Sequence, residues 1–480
     1  LTKTQENIVL IILSTLTGAF LLWLSSVSPG LEGGMDSYNH YLIAKNSWSH
    51  PALLLDYWGK PIYNLIASPF AQMGIKGMVL LNIICLLLSS YLAYSITKKL
   101  KLQFAWLAFV LTLFSPIFLD NTISSLTEPL CALLVILTIY FIVNNKWMFG
   151  GIVAGLLPFA RSEGFIILGV VFVYFLLKKA NWKVFLSLLA GSVFFNVLGW
   201  SVTGEPLWVI TQNPYINFEL SGRNVCGSGG IAHYLWAGHY TFGFVTCLLL
   251  LLGAVAYLRH ILKNKTSSNL EIGLIVLSFC LYFAAHVFIW WRGMMGSCGY
   301  VRVMTVIAPL GSIIAVYGIH YFSQWDQFLK QKHSKSVLLL FTVFVSLNAM
   351  HAPFRYYSYK YPLAISEEQA EYEKLAEWYK KQGFEERTKL YLYPYFSIIA
   401  NIDPYNQDEH LELWKSSLEF TKKGDILIWD VHFGPNESNI PLDSLRAKSE
   451  WKEIHSIIPQ VPIPTLNNAN FEIHVFEKMQ

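Results

Sequence analysis

The sequence predicts an α-helical polytopic membrane protein, with about eleven transmembrane helices of about 20 residues each, followed by a small extracytoplasmic α/β domain. Three observations predict it. Hydrophobic residues are 54% of the 480 and charged residues only 14%, with a mean hydropathy of +0.42. A soluble chain of this length needs a more charged surface. Apolar runs long enough to cross a bilayer recur along the chain. From residue 351 onward the composition turns charged and mixed.

The spans are read in order as 8–27, 77–96, 104–119, 126–143, 183–202, 241–258, 270–291, 301–322 and 335–350. Residues 148–177 are apolar but broken by Pro158, Arg161, Glu163 and Gly164, and read as two helices meeting at that break. The first run is long for a cleaved signal peptide and is read as a retained span. Aromatic residues, 15% of the chain, suit belts at both interfaces.

Sidedness follows from the basic residues of the short loops. Lys3, Lys98, Lys99, Lys101, Lys146, Lys178, Lys179, Lys183, Arg259, Lys263, Lys265, Lys330, Lys332 and Lys335 fall on one side. Lys60, Lys76, Arg161, Arg223, Arg292 and Arg302 fall on the other. This places the N-terminus in the cytoplasm, of a bacterial inner membrane or an ER-type membrane. An odd span count then places the C-terminus outside. Residues 1–350 form the membrane domain, with long outer loops at 28–76 and 203–240, and residues 351–480 the outer domain. In that domain 366–382 reads as a helix, capped by Ser366 and stopped by Gly383. Strands are expected at 389–393, 425–430 and 471–477, and a helical segment near 408–420. The net charge of +4 has no basic tail or nucleic-acid motif behind it, which excludes a nucleic-acid partner.

The first outer loop is the most informative segment. Gly33 and Gly34 precede Asp36 just after a span, residues 37–48 can lie on the interface as a helix, and Tyr57–Trp58–Gly59–Lys60–Pro61 leads to Tyr63, Pro69, Phe70 and the second span. Lys60 reads as a point charge for a phosphate, or as a snorkelling interfacial lysine. Arg161 and Glu163 are ionisable groups at the membrane boundary and functional candidates by default; the competing reading is a structural salt bridge. Arg292 and Arg302 flank a Gly-rich turn ahead of Pro309, where a guanidinium fork suits a lipid phosphate. Glu128 starts a span after Asp120 and Asn121. It reads as an acceptor or metal contact, or as an acid favoured by the helix dipole. His40 lies one helical turn after Asp36. The histidines show no metal-ligand spacing, so a divalent metal is not indicated. Cys226 and Cys298 fall in outer loops and are a candidate disulfide; Cys85, Cys131, Cys247 and Cys280 read as apolar fillers within spans.

An acidic residue just past the first span, an interfacial helix and a GKP turn before the second span resemble the GT-C superfamily of membrane glycosyltransferases. These use lipid-phosphate sugar donors, and the likeness is to the branch holding aminoarabinose transferase and the protein O-mannosyltransferases. Arg-x-Glu-Gly at 161–164 and a basic residue before a late Pro-containing span are similar to features of that superfamily. Ser37 stands where the family often has a second acid. The resemblance implies that Asp36 is the base of an inverting transfer, taking a proton from the acceptor as it attacks the anomeric carbon. Lys60, Arg161, Arg292 and Arg302 would bind the donor phosphate. His40, Trp58, Tyr63, Asp120, Glu128 and Glu163 would contact the acceptor or support the site. The implied partners are a polyprenyl- or dolichyl-phosphate sugar (mannose, another hexose or a pentose), membrane lipids, and a lipid, glycan or protein acceptor. The rival reading is a multi-span transporter or lipid flippase; a non-catalytic scaffold subunit is a third.

Overall fold

The structure, a computed structural model, describes residues 3–213, 226–263, 270–323, 334–357, 362–465 and 468–480. Arg223, Lys265, Lys330 and Lys332 lie outside the described residues. Among the described residues six helices are long and apolar enough to cross a membrane. They include α1 (Lys3–Val27) and α4 (Ile75–Lys99). α15 (Phe244–Lys263), α16 (Leu270–Arg292), the segment Val301–Ser323 and the helix Ser334–Tyr356 complete the set. α7 (Glu128–Val143), α8 (Trp147–Ala160) and α9 (Gly164–Leu177) are shorter apolar helices.

Two expected spans are each split. Residues 104–119 become α5 (Trp106–Leu113) and α6 (Pro116–Thr122). Pro116 starts the second helix and holds Ser115 extended (ψ 120°). Residues 183–202 become α10 (Trp182–Ser187) and α11 (Ala190–Thr203), joined by a tight turn. Pro309 does not interrupt a helix. A 3-10 turn at Val301–Ile307 gives way to α17 (Ala308–Ser323), and Pro309 sits in its first turn, where the missing N–H costs nothing.

The segment Val301–Ser323 is the centre of the bundle: 94% of its apolar window is buried against other helices, against 22% for α1. Its neighbour α15 comes within backbone contact. A side chain at Gly253 would meet the Ile314 carbonyl at 2.0 Å, and one at Gly318 the Gly253 nitrogen at 2.7 Å. Small residues permit this approach, which in lipid takes the place of hydrophobic drive.

Between α1 and α4 the chain forms α2 (Gly34–Asn46) and α3 (Pro61–Ala71), the latter started by Pro61. The ends marked by Lys98–Glu6 (3.0 Å) and Lys178–Glu271 (2.7 Å) lie at the opposite ends of α4, α9 and α16 from these elements.

The C-terminal part is a five-stranded sheet of order β2-β1-β3-β5-β4. β1 (Lys389–Tyr391) runs parallel to β2 (His410–Glu412) and to β3 (Ile426–Asp430). β5 (Ile473–Lys478) is antiparallel to β3 and to β4 (Trp451–Ile457). The helical expectation near 408–420 is corrected: His410–Glu412 is a strand and Ser417–Phe420 a 3-10 turn. β4 was not foreseen, because its burial is patchy at the sheet edge. β3 alternates as a two-sided strand must. Ile426 and Ile428 pack on one face with Tyr372 and Leu375 of the helix Glu367–Tyr379, while Leu427 and Trp429 pack on the other with Leu445. Ser366 and Gln369 form a reciprocal cap on that helix. The sheet unit sits on the loops after α1. Gly30 N–H donates to the Leu363 carbonyl (2.9 Å), His50 pairs with Asp403 (2.8 Å), and Tyr38 of α2 meets Tyr395 edge-on at 5.1 Å.

Candidate active site

A cavity of about 550 Å³ is lined by Asp36, Lys60, Glu128, Arg161, Glu163 and Arg302 among others. A shallower hollow of about 710 Å³ beside His455 and Ile458 has no comparable charge; its Glu371 and Lys374 pair with each other at 2.7 Å.

Asp36 stands in the first turn of α2. Gly33 ahead of it takes φ +87°, a left-handed conformation suited to glycine, and a Cβ there would meet Leu126 at 2.7 Å. Arg302, in the 3-10 turn ahead of α17, makes an ion pair with the Asp36 carboxylate. Its other terminal nitrogen donates to the Gly33 carbonyl at 3.2 Å, and its guanidinium carbon lies over the Tyr300 ring, 4.4 Å from the centroid. From Asp36 a line of alternating charge runs inward. Arg302 Nε is 3.5 Å from Glu128 Oε1, and Arg161 Nη1 is 2.8 Å from the same oxygen. Arg161 Nη2 is 3.1 Å from Glu163 Oε1, and His286 Nε2 is 3.6 Å from Glu163. Arg161 also donates to Thr127 Oγ1 at 3.1 Å. Glu128 is 2% exposed, deep enough that the two guanidiniums must compensate its charge.

Lys60 lines the cavity from a strained turn, with φ 68° and ψ 106°. The turn is held by Asp56, which accepts from Gly59 N–H at 2.6 Å, and by Asn64, which donates to the Leu53 and Asp56 carbonyls at 3.0 and 3.2 Å. Lys60 Nζ donates to the Tyr57 carbonyl at 3.1 Å. Strain held by so many contacts is common at functional sites. His40 is stacked on Trp58 at 4.6 Å and meets Tyr63 edge-on at 5.5 Å. Burial, then the charges of Lys60, Arg302 and Arg161, push its imidazole well below the usual value, so it is neutral.

Several buried polar atoms on the cavity wall lack a hydrogen-bond partner among the described residues: His40 Nδ1, Glu128 Oε2, Arg161 Nε and Arg302 Nε. Buried groups are normally satisfied, and all four of these residues line the cavity. Among the described residues no three His, Cys, Asp or Glu side chains converge to hold a metal ion.

The structure thus brings Asp36, His40, Trp58, Lys60, Glu128, Arg161, Glu163 and Arg302 to one cavity. It does not bring Arg292 there: that side chain is exposed at the end of α16, over Trp291 at 5.7 Å. Tyr63 does not line the cavity either. It is fully buried behind His40, donating to the Ser125 carbonyl at 2.6 Å. Asp120, half-buried in α6, stands outside the lining. Cys226 and Cys298 are joined in a disulfide, with Cα atoms 5.0 Å apart, and Cys298 reaches the cavity rim. Sequence reasoning missed Tyr234, Ser297 and a lining place for His286. His286 was visible as an ionisable side chain inside a span, which is the available signal; Tyr234 and Ser297 carried none.

No family model and no curated protein matches this sequence. Solved structures do. ArnT from Cupriavidus metallidurans in the apo state matches with a TM-score of 0.59 and 11% identity over 97% of each chain. The same protein bound to undecaprenyl phosphate matches with a TM-score of 0.56 and 10% identity, again over 97% of each. The Archaeoglobus fulgidus oligosaccharyltransferase, in a complex with Zn and sulfate, matches with a TM-score of 0.53 and 12% identity, over 88% of this chain and 68% of its own. Identities this low speak for architecture alone. By its spans and its superposition on these proteins, the chain is an integral membrane protein with the GT-C fold.

Proposed function

We propose that this protein is a membrane glycosyltransferase that moves a sugar from a lipid-phosphate carrier, polyprenyl or dolichyl, to a hydroxyl or amine of a lipid, glycan or protein acceptor. The observation that carries the reading is one cavity in which a carboxylate, Asp36, adjoins the cations Lys60 and Arg302, with Arg161 further in. The ArnT neighbour holds undecaprenyl phosphate, which supports a lipid-phosphate donor here.

In this reading the acceptor oxygen or nitrogen attacks the anomeric carbon from the Asp36 side. Asp36 takes its proton, the bond from the anomeric carbon to the phosphate oxygen breaks, and the lipid phosphate leaves with that electron pair. No general acid is needed, because the leaving group is already an anion. Lys60 and Arg302 stabilise the charge that develops on it. Arg302 also orients Asp36, and neutral His40 can hydrogen-bond substrate without adding charge. The configuration at the anomeric carbon inverts.

The lysine-marked helix ends lie away from this site, which supports a cytoplasmic placement for them and an outer placement for the cavity and the sheet unit. Ionisable groups gathered at one end of the bundle, rather than on broken helices at mid-depth, favour a transferase over a transporter.

The test is transfer by the purified protein from a polyprenyl-phosphate sugar. Asp36→Asn is expected to lower kcat by about 10²–10⁴ while donor binding and thermal unfolding stay as in the wild type. Full activity of Asp36→Asn, or transfer that does not need the lipid-phosphate donor, overturns the proposal.

A further inference from the structure

We infer that Asp403 of the sheet unit is a positioning residue for the donor-phosphate lysine: through His50 and the turn that follows it, Asp403 holds Lys60 in place on the cavity wall. The sheet unit is thereby part of the donor site. The inference deepens the donor reading above and rests on it.

Lys60 has φ 68°, a conformation that a lysine keeps only where its surroundings impose it. The residues that impose it lie in one continuous stretch. His50 caps the 3-10 turn Pro51–Leu55, and Asp56 closes it. Leu53 N–H donates to the His50 carbonyl at 3.0 Å, and Asp56 N–H to the Leu53 carbonyl at 3.1 Å. The Asp56 carboxylate then accepts from Gly59 N–H at 2.6 Å. Asn64, fully buried, donates to both the Leu53 and the Asp56 carbonyls. Each link is a hydrogen bond between near neighbours, so a shift of His50 is passed on to Gly59 and Lys60.

His50 is fixed by the sheet unit. Its Nε2 is 2.8 Å from Asp403 Oδ2. The other oxygen of Asp403 accepts from Tyr405 N–H at 3.0 Å, and Asp403 N–H donates to Glu409 Oε2 at 3.2 Å. Glu409 Oε1 accepts from Asn406 at 2.9 Å. These bonds brace the loop ahead of β2, and Asp403 presents a fixed acceptor to His50. Tyr405, on the same loop, packs against the core of the membrane bundle with its ring 6.2 Å from that of His50. It stands near enough to Asp56 for the two to interact electrostatically. One loop of the sheet unit therefore supports the turn at both ends.

Strain makes this support matter. Once the turn loosens, Lys60 relaxes toward negative φ and its ammonium leaves the position that suits the phosphate. A displacement of about 1 Å at such a group costs a large factor.

The experiment measures binding of sugar-free polyprenyl phosphate to the full-length protein in detergent, together with hydrogen exchange across residues 56–60. Asp403→Ala and His50→Ala are each expected to weaken binding about fivefold to tenfold and to quicken exchange at the Gly59 amide. Asp403→Asn is expected to keep near-wild-type affinity, because its amide can accept from Tyr405 N–H and donate to the His50 ring. In a Lys60→Ala background, Asp403→Ala is expected to cost no further affinity, since the group it positions is gone. Unchanged affinity or unchanged Gly59 exchange in both alanine variants overturns the positioning role. So do equal losses with and without Lys60, which would leave Asp403 only fastening the sheet unit to the bundle. Failure of the wild type to bind polyprenyl phosphate overturns the donor reading, and the inference with it.

Discussion

Arg302 holds the carboxylate of Asp36, 266 residues away in sequence, in an ion pair at the mouth of the cavity. The central helix therefore positions a side chain that belongs to the first outer loop. Arg302 uses both terminal nitrogens, one on Asp36 and one on the Gly33 carbonyl, and its guanidinium carbon lies over the Tyr300 ring. A lysine keeps the charge but has neither the fork nor the plane. Arg302→Lys is expected to lower kcat about tenfold or more with thermal unfolding little changed, as steady-state kinetics and a melting curve will show. Wild-type kcat in that variant contradicts the orienting role.

Glu128 answers two guanidiniums with one oxygen. Removing it leaves Arg161, 14% exposed, without its 2.8 Å partner in a buried setting. Glu128→Ala is expected to destabilise the membrane unit by about 3–5 kcal/mol. Glu128→Gln, which retains an acceptor, is expected to cost less. Denaturation in detergent with both variants measures the difference.

Lys60 separates strain from function. Its φ of 68° costs an alanine as much as a lysine, and a glycine nothing. Lys60→Gly is expected to be about 1 kcal/mol more stable than Lys60→Ala. Both are expected to lose affinity for polyprenyl phosphate equally, because both lack the ammonium. Unequal affinities would show that the turn, not the charge, binds the donor.

The sheet unit has a pH dependence of its own. Asp430, 2% exposed, accepts from the Tyr372 hydroxyl at 2.7 Å and from two backbone N–H groups, of His432 and Phe433. Burial outweighs these bonds and raises its carboxyl to about 6. The folded state thus holds this proton more tightly than the unfolded chain. The resulting stabilisation is complete below about pH 4 and is lost as pH rises through about 6, and amounts to ~3 kcal/mol. Asp430→Asn does not titrate, so its stability relative to the wild type is expected to rise between pH 4 and pH 7. Melting curves of the full chain at each pH check the direction.

Much of this was legible because hydropathy and capping are local. The runs that became α1, α4 and α16 declare themselves by length alone. The helix at 367–379 declares itself by Ser366 and its amphipathic stripe. Asp36 and Lys60 stood out because the glycines and the proline around them are local signals of a turn. The breaks at 115 and 188–189 were harder. Hydropathy is blind to a turn whose flanks are equally apolar. The strand His410–Glu412 is three residues long and exists through its parallel partner β1, which no local pattern reveals.

By itself the sequence determined that this is a lipid-embedded helical bundle with an α/β unit at its end, and that an acid and a lysine flank an interfacial helix. Those properties depend on the free energy of residues in their own neighbourhood. Tertiary structure alone decided which charges meet. Arg292 and Arg302 carry the same local signal, yet packing of the central helix turns Arg302 to Asp36 and leaves Arg292 exposed. Glu128, Arg161 and Glu163 share a line of contacts, and Tyr234 and His286 share a wall, because helices distant in sequence pack side by side. Which face of a helix meets which neighbour is set by the whole bundle, not by the residues of one turn.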